Sequence, residues 1–309
     1  MGKGLPGMRS RHVVRTAEDA SYAVPPWLEG HVKGFRRWTI VDEAAGAVHT
    51  GFGVAEMDPG GSISPHVHSY EESLFVLEGE VVLRTTEAAV RMVPGDYGMI
   101  PVAVPHSLRN ESDSVARWAA MSAPVPRRAH GGDTVWTPPF PEHEAIPVDA
   151  RDPRTRSFGH IDPANMEADK QNQEMLALSA SMRTALLVYS GITVKMMVDS
   201  DLGAQLSTMF MVQYEPRGVA GAHDHPLEET YLILEGEVDA QFDGASYRMR
   251  PGDVAWAGVG CVHSFSNPGP GLVRWLETQA PQPPARHSYR FTRDWDYLKS
   301  ALEDRRETR

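Results

Sequence analysis

The sequence is short of three things, and each shortage closes off a class of protein. It has one cysteine, Cys261, in 309 residues, so no disulfide can form within the chain. It has no apolar run long enough to cross a bilayer. It is short of positive charge: 30 Lys and Arg against 41 Asp and Glu leave a net charge of −11. Phosphate binding needs basic patches, so nucleic acid is not the expected partner. The start, MGKGLPGMRSRH, is basic but lacks the apolar stretch of a secretory signal. A cytoplasmic protein without membrane contact is therefore expected. Hydrophobic residues make up 41% of the chain, enough for a globular core, and the length allows two domains.

What the sequence does have is one pattern written twice. His66, His68, Glu72, Gly79, Gly95, His106 and Asn110 are each followed, 157 residues later, by His223, His225, Glu229, Gly236, Gly252, His263 and Asn267. From His66 to Asn110, 19 of 45 positions are identical to their partners, which chance does not produce at one fixed offset. The match reaches outward to Gly34 with Gly191, and to Pro124 with Pro281. The repeat unit therefore lies at 34–126 and 191–283, a duplication rather than a solenoid of short repeats.

Within each unit the texture is β. Short apolar runs such as Ser73-Leu74-Phe75-Val76-Leu77 end in Glu-Gly-Glu, and Pro94-Gly95-Asp96 and Pro251-Gly252-Asp253 punctuate the next strands. Histidines two apart share one face of a strand, because side chains alternate across a sheet. A carboxylate four residues on rejoins that face after a turn, and a later strand brings a third histidine. Three imidazoles and a carboxylate suit a first-row divalent metal. The predicted ligands are His66, His68, Glu72 and His106 in one unit and His223, His225, Glu229 and His263 in the other. An octahedral ion so held keeps two positions for water, dioxygen or a bidentate substrate. Fe and Mn fit best; Ni, Co and Zn also fit.

The two motifs, G-x5-H-x-H-x3,4-E-x6-G and G-x5-P-x-G-x2-H-x3-N, resemble those of the cupin superfamily, and both occur in order, twice. Ala103 stands for the usual Gly, Gly258 for the usual Pro, and Gly218 sits one position late; no ligand is lost. The resemblance implies an all-β fold of two tandem jelly-roll barrels. These barrels are joined by a Pro-rich linker and lead-in at 127–190, preceded by an arm at 1–33 and followed by a tail at 284–309 with a short terminal helix. Around 164–186 a helix and a strand start near Leu186 are both open. Trp27, Phe291 and Trp295 lie outside the repeat units. They suggest a homodimer or larger homo-oligomer, with docking inside the chain as the alternative.

Fold alone names no reaction. Gly95-Asp96-Tyr97-Gly98, then Pro101 and His106, look like the corresponding turn of germin-like and quercetin-dioxygenase-type barrels. That resemblance implies an oxygen-dependent oxidoreductase acting on a small enol, phenol or hydroxy acid. The alternatives are a Mn hydrolase similar to ureidoglycine aminohydrolase, a decarboxylase, and a small-molecule binder without turnover. Parity separates the two units. Leu74, Val76, Val104 and Leu108 face the first site, while Tyr231, Ile233, Cys261 and Phe265 face the second. Polar groups orient a substrate, so Glu229 and Tyr231 are the expected catalytic residues. Tyr231 also fits as barrel wall, and Cys261 as a small buried filler.

Overall fold

A computed structural model of the chain describes residues 10–167, 184–187 and 190–283, with Ser300 and Glu303. Two β-barrels dominate it. In the first, the long strand Gly51–His68 runs through the whole barrel, pairing with Ala116–Ala123 along one half and His106–Arg109 along the other. In the second, the same path is broken into Thr208–Tyr214 and Val219–His223. The break falls at Glu215, Pro216, Arg217 and Gly218, where Arg217 takes a positive φ of 67°. The larger sheet of the second barrel runs His12–Arg15, Val254–Ala257, Glu228–Glu235, Val273–Ala280, Thr208–Tyr214, Ile192–Val198, Thr184–Leu187. The smaller runs Val219–His223, His263–Ser266, Val238–Phe242, Ala245–Met249.

The registers of the barrels agree at the 157-residue offset. Glu72 faces Ile100 and Ser122, and Glu229 faces Ala257 and Gln279. The glycines that end the carboxylate-bearing strands explain part of this fidelity. Gly79 and Gly236 have φ of 68° and 74°. A Cβ on either would lie 2.2 or 2.3 Å from the carbonyl oxygen of Val115 or Leu272. Only glycine meets both demands.

The connector does more than span. It lays Thr134–Trp136 against His66–His68, Ala145–Pro147 against Ala89–Met92, and Phe158–His160 against Asp96–Ile100. The second barrel's matching edge, Val254–Ala257, is covered by His12–Arg15 from the N-terminal arm. Sheet edges that would otherwise template aggregation are thereby paired. Of the 164–186 segment, Pro163–Met166 forms a 3-10 turn and Thr184–Leu187 a strand; what lies between falls outside the described residues. So do Phe291, Trp295 and the expected terminal helix at 284–309, apart from Ser300 and Glu303. Trp27 is used inside the chain, where its ring packs over Gly132. No helix among the described residues is long and apolar enough to cross a membrane.

The barrels meet through an apolar layer that includes Phe75, Tyr97 and Met99 from the first and Met209, Leu232 and Trp256 from the second. Two buried carboxylates pin this layer reciprocally. Glu71 accepts from the backbone N–H of Gln205 and Leu206 at 2.6 and 2.9 Å and from the Ser207 hydroxyl at 3.2 Å. Glu228, its counterpart, accepts from the N–H groups of Val48, His49 and Thr50 at 2.9, 3.1 and 2.9 Å. Each clamp is the residue before a predicted metal-binding carboxylate.

Candidate metal centres

Within each barrel the fold gathers the predicted residues. Nitrogens of His66, His68 and His106 lie within 4.8 Å of one another, as do those of His223, His225 and His263. Glu72 reaches the second and third imidazoles of its set, with an oxygen 3.3 Å from His68 Nε2 and 3.9 Å from His106 Nε2. Glu229 does the same, 3.4 Å from His225 Nε2 and 3.1 Å from His263 Nε2.

The rings are held in a metal-ready form. Nδ1 of His66, His68 and His106 lies 2.8, 2.7 and 2.9 Å from the carbonyl oxygens of Ser64, Tyr70 and Val104. A carbonyl only accepts, so each Nδ1 carries a proton and each Nε2 is turned to the centre, that of His68 lying 3.3 Å from Glu72. His106 Nε2 is buried there with no hydrogen-bond partner. In the second barrel His223 and His263 make the same bonds to Gly221 and Cys261, at 2.6 and 2.9 Å. The orphaned nitrogen and the shared tautomer fit a divalent ion.

Charge agrees with this. Burial, then the neighbouring imidazoles, press His106 down to about 3, and burial also lowers His66, His223 and His225. Burial would raise Glu72, but the hydrogen bond from His68 and the charges of His68, His106 and Arg37 outweigh it and hold Glu72 at about 2. Glu229 is held at about 2 in the same way, chiefly by His263 and His225 against burial. His263 is raised despite burial, through its bond to Glu229. Imidazole nitrogens beside a low-pKa carboxylate are the donor set a hard or borderline cation needs.

The surroundings differ. The first centre is enclosed: all three histidines are buried, Tyr70 stacks on His68 at 3.9 Å, and Trp136 lies 5.4 Å from His66. A cavity of about 40 Å³ beside it is lined by Trp27, Arg37, Tyr70, Glu72, Trp118 and neighbours. In the second, His223 and His225 are only partly buried, and a cavity of about 30 Å³ is lined by Tyr214, Glu229, Tyr231, Trp275, Glu277 and others. There Tyr231 donates its hydroxyl to one oxygen of Glu229, and Gln279 donates to the other at 2.5 Å. Glu277 accepts from Trp275 Nε1 at 2.9 Å. Burial and the Glu229 charge raise it well above the ordinary carboxylate value.

The apolar wall expected for the first site is thus corrected. Leu74, Val76 and Leu108 are buried in its core and Val104 packs against it, but Arg37 and Tyr70 also line the cavity. Parity reaches only along the ligand-bearing strands, whereas Arg37 arrives on Val32–Val41 and Tyr70 on the turn after His68. The signal for Arg37 was its repeat partner, Val194, and for Glu277 its partner, Ala120. Tyr231, Ile233, Cys261 and Phe265 share the second barrel's core cluster, as parity required.

Comparison with known proteins agrees with this architecture. The cupin domain family matches residues 53–122 and 210–278. The chain is a bicupin. Among solved structures, a salicylate 1,2-dioxygenase from Pseudaminobacter salicylatoxidans aligns at a TM-score of 0.64 and 14% identity, over 98% of this chain and 90% of that one. Oxalate decarboxylase from Bacillus subtilis aligns at 0.58 and 14%, over 89% and 77%. A Lactobacillus farciminis oxalate decarboxylase aligns at 0.58 and 16%, over 94% and 92%. At such identities these likenesses concern the fold alone. An HTH-type transcriptional regulator, PuuR, of Escherichia coli is 28% identical over 92 residues, 29% of this chain; a Shigella flexneri counterpart matches equally. The bicupin spans about half the length of these curated relatives, 49%.

Proposed function

We propose that this bicupin is a metal-dependent oxidoreductase of the dioxygenase type, acting on a small enol, phenol or hydroxy acid in its first barrel. The observation that carries the reading is the enclosed first centre. Three imidazole Nε2 atoms and a low-pKa carboxylate converge beside a cavity lined by Trp27, Tyr70 and Trp118. Fe or Mn, held by His66, His68, His106 and Glu72, would supply Lewis acidity and electron transfer to dioxygen. Mn(II) centres are named for the oxalate decarboxylase of Bacillus subtilis, which supports the choice of ion. The carbonyls of Ser64, Tyr70 and Val104 fix the imidazoles, so the centre needs little reorganisation to bind. Tyr70 stacks on His68 and Trp136 lies beside His66, and the burial of the three rings strengthens charge interactions inside.

A second reading places the chemistry at Glu229 and Tyr231, and the hydroxyl hydrogen bond between them favours it. By that reading Tyr231 orients a substrate and Glu229 holds the ion. The separating experiment is oxygen uptake by Fe- and Mn-loaded protein over a panel of small enols, phenols and hydroxy acids. Uptake lost in His106→Ala and retained in His263→Ala supports the first barrel; the reverse supports the second. Carbon dioxide or ammonia release without oxygen uptake would replace the oxidoreductase reading by a decarboxylase or a hydrolase.

A further inference from the structure

We propose that Arg37 is an anion anchor, and that the first lumen takes a ligand bearing a carboxylate while the second rejects one. The inference deepens the first-barrel reading and rests on it for the site, not for the reaction. Alternation along Val32–Val41 sends Phe35 and Arg37 to the lumen side, where both line the cavity with His66, Tyr70 and Glu72. The adjacent Arg36 points away and is paired with Glu56 and Asp58 at 2.8 and 2.9 Å. Arg37 forms no ion pair among the described residues. Its Nη2 donates to the Ala120 carbonyl at 3.1 Å, and its Nε is buried without a partner. A guanidinium offers five donors in a fork that matches a carboxylate. Leaving such a donor buried and unmet is costly unless a ligand meets it.

Room for the side chain is part of the fold. Arg37 lies across Gly53, where a Cβ would stand 2.6 Å from Nε. The second barrel has neither member of this pair: Val194 and Phe210 stand at the corresponding positions and line its cavity. The contrast extends across the wall. Ala120, whose carbonyl steadies Arg37, corresponds to Glu277, a buried acid beside a second buried acid, Glu229. The first lumen therefore sets a guanidinium beside its one acid, Glu72, whereas the second sets two acids, Glu229 and Glu277, in a cavity lining that has no Arg or Lys.

The test uses two probes that differ in charge and little in shape, glycolate and glycolamide, titrated calorimetrically into Mn-loaded protein. Wild type should prefer glycolate by about tenfold or more, the scale of one charge-assisted hydrogen bond. Arg37→Met should lose that preference while metal content and circular dichroism stay as in wild type. Arg37→Lys, which keeps the charge, should recover part of it, and this guards against a misfolded Met variant. A wild type indifferent to probe charge, or an Arg37→Met or Arg37→Lys variant weakened equally for both probes, overturns the anchor. Arg37-dependent glycolate binding without oxygen uptake on any substrate would keep the anchor and sink the oxidoreductase reading instead.

Discussion

The two barrels each hold the same four ligand residues in the same register and surround them with opposite chemistry. The first centre lies behind Tyr70 and Trp136, faces a guanidinium with no ion pair among the described residues, and has Glu72 3.3 Å from His68 Nε2. The second has two partly exposed histidines, both oxygens of Glu229 engaged by Tyr231 and Gln279, and a second buried acid, Glu277, in the same cavity lining. Duplication has preserved what the backbone and the ligand strands demand. Divergence is concentrated at wall positions from other strands: 37 against 194, 53 against 210, 120 against 277, and 122 against 279. Ligand identity therefore says where an ion would sit, and the wall says what can join it.

The largest effect that would break this comparison is loss of metal. His68→Ala and His225→Ala should each lower bound metal by up to one equivalent per chain, read by elemental analysis after loading with Mn. The enclosed first centre, with its rings already fixed, should release its ion more slowly to a chelator than the second. Unchanged stoichiometry in both variants would mean that these histidines do not ligate.

This asymmetry marks the limit of what was legible in the sequence. The barrel fold and the meeting of the imidazoles could be read because they depend on local spacing, strand parity and a repeat with no insertion. The wall could not be read from the same strands. Arg37 lies 29 positions before His66, and no spacing rule links them; only the fold brings them to one cavity. Thr134–Trp136 belongs to a proline-rich connector that read as a spacer, yet it pairs with the histidine strand. Its strand character depends on the edge offered by His66–His68 rather than on its own sequence. The reciprocal clamps were hidden similarly, since Glu71 reads as one more charge beside Glu72 until the other barrel supplies its amides.

Those clamps give the next effect in size. Glu71→Ala and Glu228→Ala each remove the acceptor of three donors, of which Ser207 and Thr50 are buried, and each should destabilise the chain by about 2 kcal/mol. Glu228→Ala should cost more, because all three of its donors are backbone N–H groups, whereas the Ser207 hydroxyl can turn to another acceptor. Urea midpoints measure both. Equal midpoints for wild type and the two variants would show that the apolar layer alone joins the barrels.

The smallest effect is a pH dependence confined to one barrel. In both, the aspartate of the Pro-Gly-Asp turn is buried and one oxygen accepts a backbone N–H at 2.8 Å, from Val93 in the first and Arg250 in the second. The other oxygen takes a different partner. Asp96 meets His160 Nδ1 at 2.8 Å, whereas Asp253 accepts the backbone N–H of Ala17 at 2.9 Å. The hydrogen bond to Asp96, helped by Asp162 and opposed by burial, raises His160 above the ordinary histidine value. A raised folded pKa means that the folded chain holds this proton more tightly than the unfolded one. The stabilisation is complete below about 6.5, the unfolded value, and is lost as pH climbs through the folded value. It is modest, because 42% of the His160 side chain is exposed and solvent screens the pair. The Ala17 amide does not titrate in this range, so the second barrel has no matching term. The difference between wild-type and His160→Gln urea midpoints should therefore be largest at pH 5.5 and shrink by pH 8.5. Asp253→Asn should shift the midpoint without adding pH dependence over that window. A constant difference for His160→Gln would show that His160 contributes packing against Gly95 rather than charge.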